Sequence, residues 1–411
     1  MKKLVFRNGI YTVLRPLYYL CKLFGLASYS YEADRRNKRV TTDYGYLNYM
    51  FTVIWLILFT VGLPVQLLTL RDDDIRSQTL FIAVMLYYIS SYTGSIVAVV
   101  WISVIKRRMF LGITEKISGV DNKIRYTHQD ETHMNRNVMF NMISEIFLLN
   151  VLQCISIIYD IYYVASEPYY VIFIRTISTV ADICNALILF QFLNLVFMVK
   201  QRYNHLNKRL TNWINGTVSR PIRLMNEIER NLQSYRAVDH GIITPVCVSS
   251  VGTIEGTTRQ TDIHLLRQIY SELYDITCLI NDTYGIPILA TMCWILTCVL
   301  CSLYEGLIDF KLVGLTDAVY AGTCLVLFFK VTLFCHTATN EARTSSILVQ
   351  KLLLEGNCRS ECVNQLKMFS LQLQIMKTQY TACGFFSLNL RLFTSVVSVI
   401  ASYIIIMVQI R

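Results

Sequence analysis

Seven apolar stretches, each long enough to cross a bilayer as a helix, constrain this 411-residue chain more than any other feature. A hydrocarbon core about 30 Å thick needs about 20 mostly apolar residues per helical span. The stretches run roughly 47–70, 79–105, 138–164, 170–199, 286–308, 316–339 and 383–409. Composition agrees: 54% of the residues are hydrophobic and 16% charged, with a mean hydropathy of +0.43. Soluble domains carry about 25% charged residues, so a soluble fold is excluded, and the apolar content excludes disorder. The expected fold is all-α and polytopic. The first stretch begins too far into the chain for a signal peptide, and no small-residue cleavage site precedes it, so no cleaved signal is expected.

Orientation follows from the basic residues, which cytoplasmic segments retain in excess. Nine Lys and Arg precede the first span, seven lie between spans two and three, ten between four and five, and five between six and seven. Those 31 occupy one side; the other holds four, and Arg175, Lys330 and Arg391 lie inside spans. The N-terminus is expected in the cytoplasm and the C-terminus outside, the reverse of a G-protein-coupled receptor. The loops assigned to the outside are short: 71–78, 165–169 and 309–315.

Segments 1–46, 200–285 and 340–382 are thus expected in the cytoplasm. Val199, Tyr203, Leu206 and Leu210 extend the fourth helix into the cytosol at helical spacing, and Ile263, Leu266, Tyr270 and Leu273 lead into the fifth. Between them, 238–260 is rich in Gly, Ser and Thr and reads as a mobile segment. Before the seventh span, Cys362, Leu366, Phe369, Leu373, Met376 and Tyr380 form a heptad seam that requires a partner, either in its own subunit or around a shared axis.

None of the thirteen cysteines falls in an outer loop, and a reducing cytosol keeps cytoplasmic thiols free, so no structural disulfide is expected. Cys358 and Cys362 lie one helical turn apart, but a metal site needs two further ligands of suitable spacing. No metal, cofactor or nucleic-acid site is therefore expected. No nucleophile, base and orienting group converge, which argues against an enzyme. Internal repeats and broken helices, the marks of a secondary transporter, are not evident either.

The seventh span carries a polar stripe. At about 100° per residue, Arg391, Ser395, Ser398, Ser402 and Gln409 share one face, with Ile405 and Ile406 flanking it near the outer end. Small hydroxyls interrupted by bulky aliphatics suit a pore with a hydrophobic constriction that gates by dewetting. The competing reading is close helix packing, with each serine bonding back to its own backbone. One such helix encloses no channel, so the pore reading requires several subunits.

The chain's end, TACGFFSLNLRLFTSVVSVIASYIIIMVQIR, resembles the C-terminal signature of insect gustatory receptors, written TYhhhhhQF with h hydrophobic; here it runs Ser402, Tyr403, five apolar residues, Gln409 and Ile410. Ser402 replaces Thr but keeps the hydroxyl, and Ile410 replaces Phe but stays apolar. The run CHTATNEARTSSILVQKLL with Glu341 and Ala342, and IYSELYDITCLINDTYGIPIL before the fifth span, are also similar to that family. Cys383 resembles the bitter, fructose and broadly tuned branches more than the sugar branch.

The resemblance implies a homotetrameric or heterotetrameric ligand-gated cation channel in the plasma membrane of sensory neurons. Segment 383–411 would be the pore helix and 340–382 part of a cytoplasmic anchor. The pore and gate residues would be Ser395, Ser398, Ser402, Ile405, Ile406 and Gln409. A small-molecule tastant, a bitter-type compound or a sugar, would bind among helices two to six of the 47–339 region, in the outer half of the membrane. Alternating topology places Tyr87, Tyr88 and Ser91 there, with Tyr159 and Asp160 on helix three and Tyr170 and Arg175 on helix four. Thr297, Tyr304 and Glu305 follow on helix five, and Asp317 and Tyr320 on helix six. Asp160 and Arg175 lie at one depth and can pair, either to floor the pocket or as a structural bridge. The tyrosines also suit an interfacial belt. Glu145, Asp182 and Lys330 are membrane-embedded charges to which the sequence assigns no partner. The alternative function is a seven-helix receptor signalling through a G protein.

Overall fold

The computed structural model describes residues 6–27, 30–34, 39–43, 46–72, 78–124, 136–147, 169–236, 251–308, 312–354 and 360–409. Nearly all of them are helical. The helices are α1 (Asn8–Leu23), α2 (Tyr46–Asp72), α3 (Gln78–Val100), α4 (Arg107–Ile124), α5 (136–147), α6 (Tyr169–Arg236), α7 (Val251–Ile308), α8 (Leu312–Leu354), α9 (Ser360–Ile375) and α10 (Leu390–Gln409). A five-residue π-helical turn, Trp101–Ile105, joins α3 to α4.

Two small sheets correct the all-α expectation to nearly all-helical. Near the N-terminus β1 (Phe6–Arg7), β2 (Ser30–Asp34) and β3 (Arg39–Asp43) form an antiparallel sheet in the order β1-β3-β2, with Tyr31 opposite Thr42. Before α10, β4 (Thr381–Ala382) and β5 (Phe386–Ser387) form a hairpin.

Five described helices contain segments long and apolar enough to cross a membrane: Tyr49–Thr69, Phe81–Ile105, Tyr169–Asn215, Asp262–Gly306 and Ala318–Leu354. A shorter apolar segment, Leu390–Ile406, lies in α10. Most of the expected third span lies outside the described residues, which retain only its start in α5. The expected mobile segment 238–260 overlaps α7, whose helix begins at Val251 despite the Gly and Thr there.

The chain divides into two compact units. One comprises Met1–Met198, Ile276–Thr337 and Gln379–Arg411, the other Val199–Asp275 and Ala338–Thr378. In the second unit the helical periodicities expected in the cytoplasm form a core: Tyr203, Leu210, Leu273, Leu366 and Phe369 are all fully buried. The heptad seam finds partners in its own chain, with the Tyr270 ring 5.5 Å from Tyr203 and 5.9 Å from Phe369, both edge-on. Asn207 accepts from Ser345 Oγ at 2.6 Å and donates to the Glu341 carbonyl at 2.8 Å and to its carboxylate at 3.0 Å. That gives Glu341 of the TNEAR run a structural role.

In the first unit α1 is fixed by its C-terminus. Gly25 adopts φ +74° and closes a Schellman cap, Leu26 N–H donating to Cys21 O at 2.7 Å and Gly25 N–H to Lys22 O at 3.2 Å. Carbonyls left beyond the cap accept from neighbours: Leu23 O from Trp55 Nε1 at 2.9 Å, and Gly25 O from Thr52 Oγ1 at 2.9 Å and Ser103 Oγ at 2.6 Å. Orphan carbonyls at a helix end need such donors, so α1 is tied to α2 and to the π-helical turn.

Residues 383–389, expected to open the seventh span, belong to the hairpin and its exit. Cys383 (φ +53°) and Gly384 (φ +78°) sit at the centre of a turn closed by Phe385 N–H on Ala382 O at 3.0 Å. Positive φ at two successive positions is a hairpin turn's requirement and excludes a helix. Asn389 then caps α10, accepting from Leu392 N–H at 3.0 Å. Asn281 of α7 clasps the hairpin, donating to Gln379 O at 2.7 Å and accepting from Thr381 N–H at 3.2 Å.

Candidate ligand site and pore helix

Asp182, on α6, organises a polar cluster in the first unit. Tyr87 and Ser91 of α3 each donate a hydroxyl to it at 2.5 Å, the first to Oδ2 and the second to Oδ1. Trp294 Nε1 of α7 donates to Oδ1 at 2.8 Å, and Tyr320 of α8 to Oδ2 at 3.0 Å. Four donors from three neighbouring helices thus satisfy one carboxylate. Hydrogen bonds to the charged form are what make a buried carboxylate tolerable. One turn along α3, Ser90 Oγ lies 2.5 Å from Thr297 Oγ1 of α7. Asn185, one turn beyond Asp182, donates to Ser91 O at 2.9 Å.

Of the residues expected around the ligand, the structure brings Tyr87, Ser91, Thr297 and Tyr320 to this cluster. Tyr88 stands beside it, its ring 5.1 Å from that of Tyr87. Tyr304 is buried, at 3% exposure. Glu305 accepts a contact from Cys301 Sγ at 3.6 Å. Arg175 is half-buried; its expected partner Asp160, and Tyr159, lie outside the described residues. Asp317 falls on α8, with its side chain outside the description. The organising residue, Asp182, was visible in the sequence only as a charge in an apolar span. Its indicator was the set of hydroxyl and indole donors at matching depth, Ser91 and Trp294 included.

The other two membrane-embedded charges meet each other. Lys330 Nζ of α8 lies 3.7 Å from Glu145 Oε1 of α5 and donates to Ser144 Oγ at 2.9 Å. Asn141 Nδ2 donates to Glu145 Oε1 at 2.8 Å and Asn194 Nδ2 of α6 to Oε2 at 2.5 Å.

The seventh apolar segment, α10, is sparsely covered among the described residues. Ser395, Ser398, Ser402, Ile405, Ile406 and Gln409 are all exposed, and Ile400 is the buried residue of the helix among those described. The ring of Phe393 rests 5.6 Å from Phe328 and 5.1 Å from Phe329 of α8. Each serine of the stripe bonds back one turn: Ser395 to Arg391 O at 2.9 Å, Ser398 to Thr394 O at 3.0 Å and Ser402 to Ser398 O at 2.9 Å. Those bonds satisfy the hydroxyls locally, yet the face they line stays exposed among the described residues.

Apolar helices long enough to cross a membrane, a buried carboxylate ringed by donors and an exposed polar helix face together describe a helical, multi-pass membrane protein. The model of the 7tm chemosensory receptor family matches residues 14–411, and the chain belongs to that family, whose members are receptors and not enzymes. Among solved structures, it is similar to the insect olfactory receptor OR5 from Machilis hrabei in complex with eugenol, at a TM-score of 0.65 and 12% identity, over 98% of this chain and 100% of that one. A second structure of OR5 from the same organism aligns at a TM-score of 0.63 and 12% identity, over 98% and 99% of the two chains. At that identity the likeness establishes the fold. Among curated proteins none matches the chain by sequence.

Proposed function

We propose that this protein is an insect gustatory receptor that works as a tetrameric, ligand-gated, non-selective cation channel, with its N-terminus cytoplasmic and its C-terminus outside. The observation that carries the reading is α10: a mostly apolar helix whose serine face and Gln409 stay exposed in the isolated subunit. Four such helices around an axis enclose a pore lined by Ser395, Ser398 and Ser402, narrowed by Ile405, Ile406 and Gln409. The Tyr403–Gln409 run supports the gustatory assignment.

The tastant binds in the outer half among α3, α5, α6, α7 and α8, near Tyr88, Tyr159, Asp160, Arg175, Thr297, Tyr304, Glu305, Asp317 and Tyr320. The olfactory receptor of matching fold was solved with eugenol, which supports a small-molecule ligand here. Binding must favour the open state differentially; the ligand does so by drawing α8, and with it Phe393 of α10, away from the axis. The site of action is the plasma membrane of a sensory neuron, alone or with related subunits.

Current recorded from cells expressing this chain, wild type and Gln409→Ala, during a screen of sugars and bitter compounds, tests the reading. A ligand-evoked cation current whose permeability or block changes with Gln409→Ala is expected. A response that requires a G protein and carries no intrinsic current overturns it.

A further inference from the structure

Around its axis α10 has one covered edge and one bare one. Phe393 packs on Phe328 and Phe329 of α8, with ring centroids 5.6 and 5.1 Å apart, and Ile400 on the same edge is 5% exposed. At about 100° per residue, Arg391 stands about 180° from Ile400 and within about 40° of Ser395, Ser398, Ser402 and Gln409. It is exposed, as they are. Any assembly that turns the serine face to a shared axis therefore turns Arg391 to it as well, at the end of the helix opposite Gln409.

Nothing in α10 or its hairpin offsets this charge. No Asp or Glu follows Glu361 in the chain, and Arg391 is the only charged residue between Lys377 and Arg411. Its carbonyl accepts from Thr394 and Ser395, while its guanidinium makes no hydrogen bond or ion pair among the described residues. Arg391 also lies in the first turn of α10, just after the Asn389 cap. A cation there meets the positive end of the helix dipole, which is destabilising. Helix stability thus gives no reason for an arginine at this position, whereas a water-filled axis does.

We propose that Arg391, repeated in each subunit, forms a positive ring in the pore that holds divalent cations back relative to monovalent ones. The proposal rests on the tetrameric channel reading and adds a selectivity determinant to it. A positive potential thins a cation by a Boltzmann factor whose exponent scales with the ion's charge, so a divalent ion is thinned by the square of the monovalent factor. The serines and Gln409 carry no charge, and Arg391 is the ionic member of the stripe. Screening confines the effect to within about 8 Å at physiological ionic strength, so the ring acts on ions passing through it and not on those in bulk.

The test uses the full-length protein in planar bilayers, with Ile405→Ala and Ile406→Ala together widening the constriction so that current flows without a ligand. Arg391, Arg391→Lys, Arg391→Gln and Arg391→Glu are compared in that background, and reversal potentials between sodium and calcium solutions give the permeability ratio. A cryo-electron-microscopy map of the wild type in nanodiscs locates α10 in parallel. The calcium-to-sodium ratio should rise about tenfold in Arg391→Gln, the lower end of what a cleft of one sign does to local ion concentration. It should rise further in Arg391→Glu and stay at its starting value in Arg391→Lys. Equal ratios with Arg391 and with Arg391→Gln overturn the proposal and leave the channel reading standing, as does a map with Arg391 turned away from an axis that Ser398 lines. A ratio that changes as much in Arg391→Lys as in Arg391→Gln overturns it too, because shape and not charge is then at work. Widened tetramers that carry no current, or a map in which α10 surrounds no axis, remove the channel reading and the proposal together.

Discussion

Tyr320 donates its hydroxyl to Asp182 Oδ2 at 3.0 Å, joining the N-terminal part of α8 to the N-terminal part of α6. Tyr87 donates to the same oxygen from α3, and Ser91 and Trp294 share the other. The carboxylate is therefore a junction of four helices, and its two oxygens are not equivalent.

The amide of Asp182→Asn presents one NH2 where two donors now point. Two donors then face a donor, at about 1–3 kcal/mol for each group left unsatisfied in a buried site. Tyr320→Phe removes one donor and leaves the carboxylate three, a loss of about 1 kcal/mol. Thermal unfolding followed by size-exclusion chromatography in detergent should show a clearly lower midpoint for Asp182→Asn than for Tyr320→Phe. Equal midpoints would mean that the cluster does not bear on stability.

Gly285 of α7 faces the hairpin closely. A Cβ there would lie 3.0 Å from the backbone nitrogen of Cys383, which cannot swing aside as a side chain can. Gly285→Ala is expected to destabilise by about 1–3 kcal/mol through overpacking. Gly322 on α8 has open space at its Cβ position, so Gly322→Ala should be neutral or slightly stabilising from helix propensity. A midpoint for Gly285→Ala at or above that of Gly322→Ala contradicts the close approach.

Much of this fold was legible in the amino-acid pattern because bilayer and core both select on apolar periodicity. Tyr203, Leu210, Leu273, Leu366 and Phe369 stood at helical spacing and are core residues. The hairpin at Thr381–Ser387 was not legible as such, because its residues are as apolar as a span, and the Cys383–Gly384 turn is a weaker signal than hydropathy. The partners of Glu145 and Lys330 were hidden for a different reason: 185 residues separate them, and only the packing of α5 against α8 brings them together. Asp182 shows the same limit, since its four donors lie up to 138 positions away.

The Glu145–Lys330 pair should behave as a coupled unit. Glu145 is buried and Lys330 partly exposed, with side-chain exposures of 1% and 20%. Lys330→Met strands the Glu145 carboxylate on the amides of Asn141 and Asn194, and Glu145→Gln leaves the ammonium with Ser144. Breaking a fully buried pair costs about 3–5 kcal/mol; the partial exposure of Lys330 and the 3.7 Å separation reduce the expected loss to about 1–2 kcal/mol. The double variant should recover part of it, since both charges are then gone. Strictly additive losses in a double-mutant cycle would show that the two groups are neighbours without coupling.

Accessibility along α10 distinguishes the serine face from the face held by its own subunit. Ser395, Ser398 and Ser402 are exposed in the subunit, while Ile400, between them in sequence, is 5% exposed. In a tetramer around a water-filled axis the first three remain wet. If the face were instead packed against a neighbouring helix, they would be sealed from water. Cysteine placed at each position in turn and treated with a charged methanethiosulfonate during channel opening should react quickly at Ser395→Cys, Ser398→Cys and Ser402→Cys. Ile400→Cys should react at least tenfold more slowly, and the background from native thiols such as the exposed Cys383 is read from the wild type. Because a thiolate must meet water to react, slow reaction at all three serine positions would assign the stripe to helix packing and remove α10 from the pore.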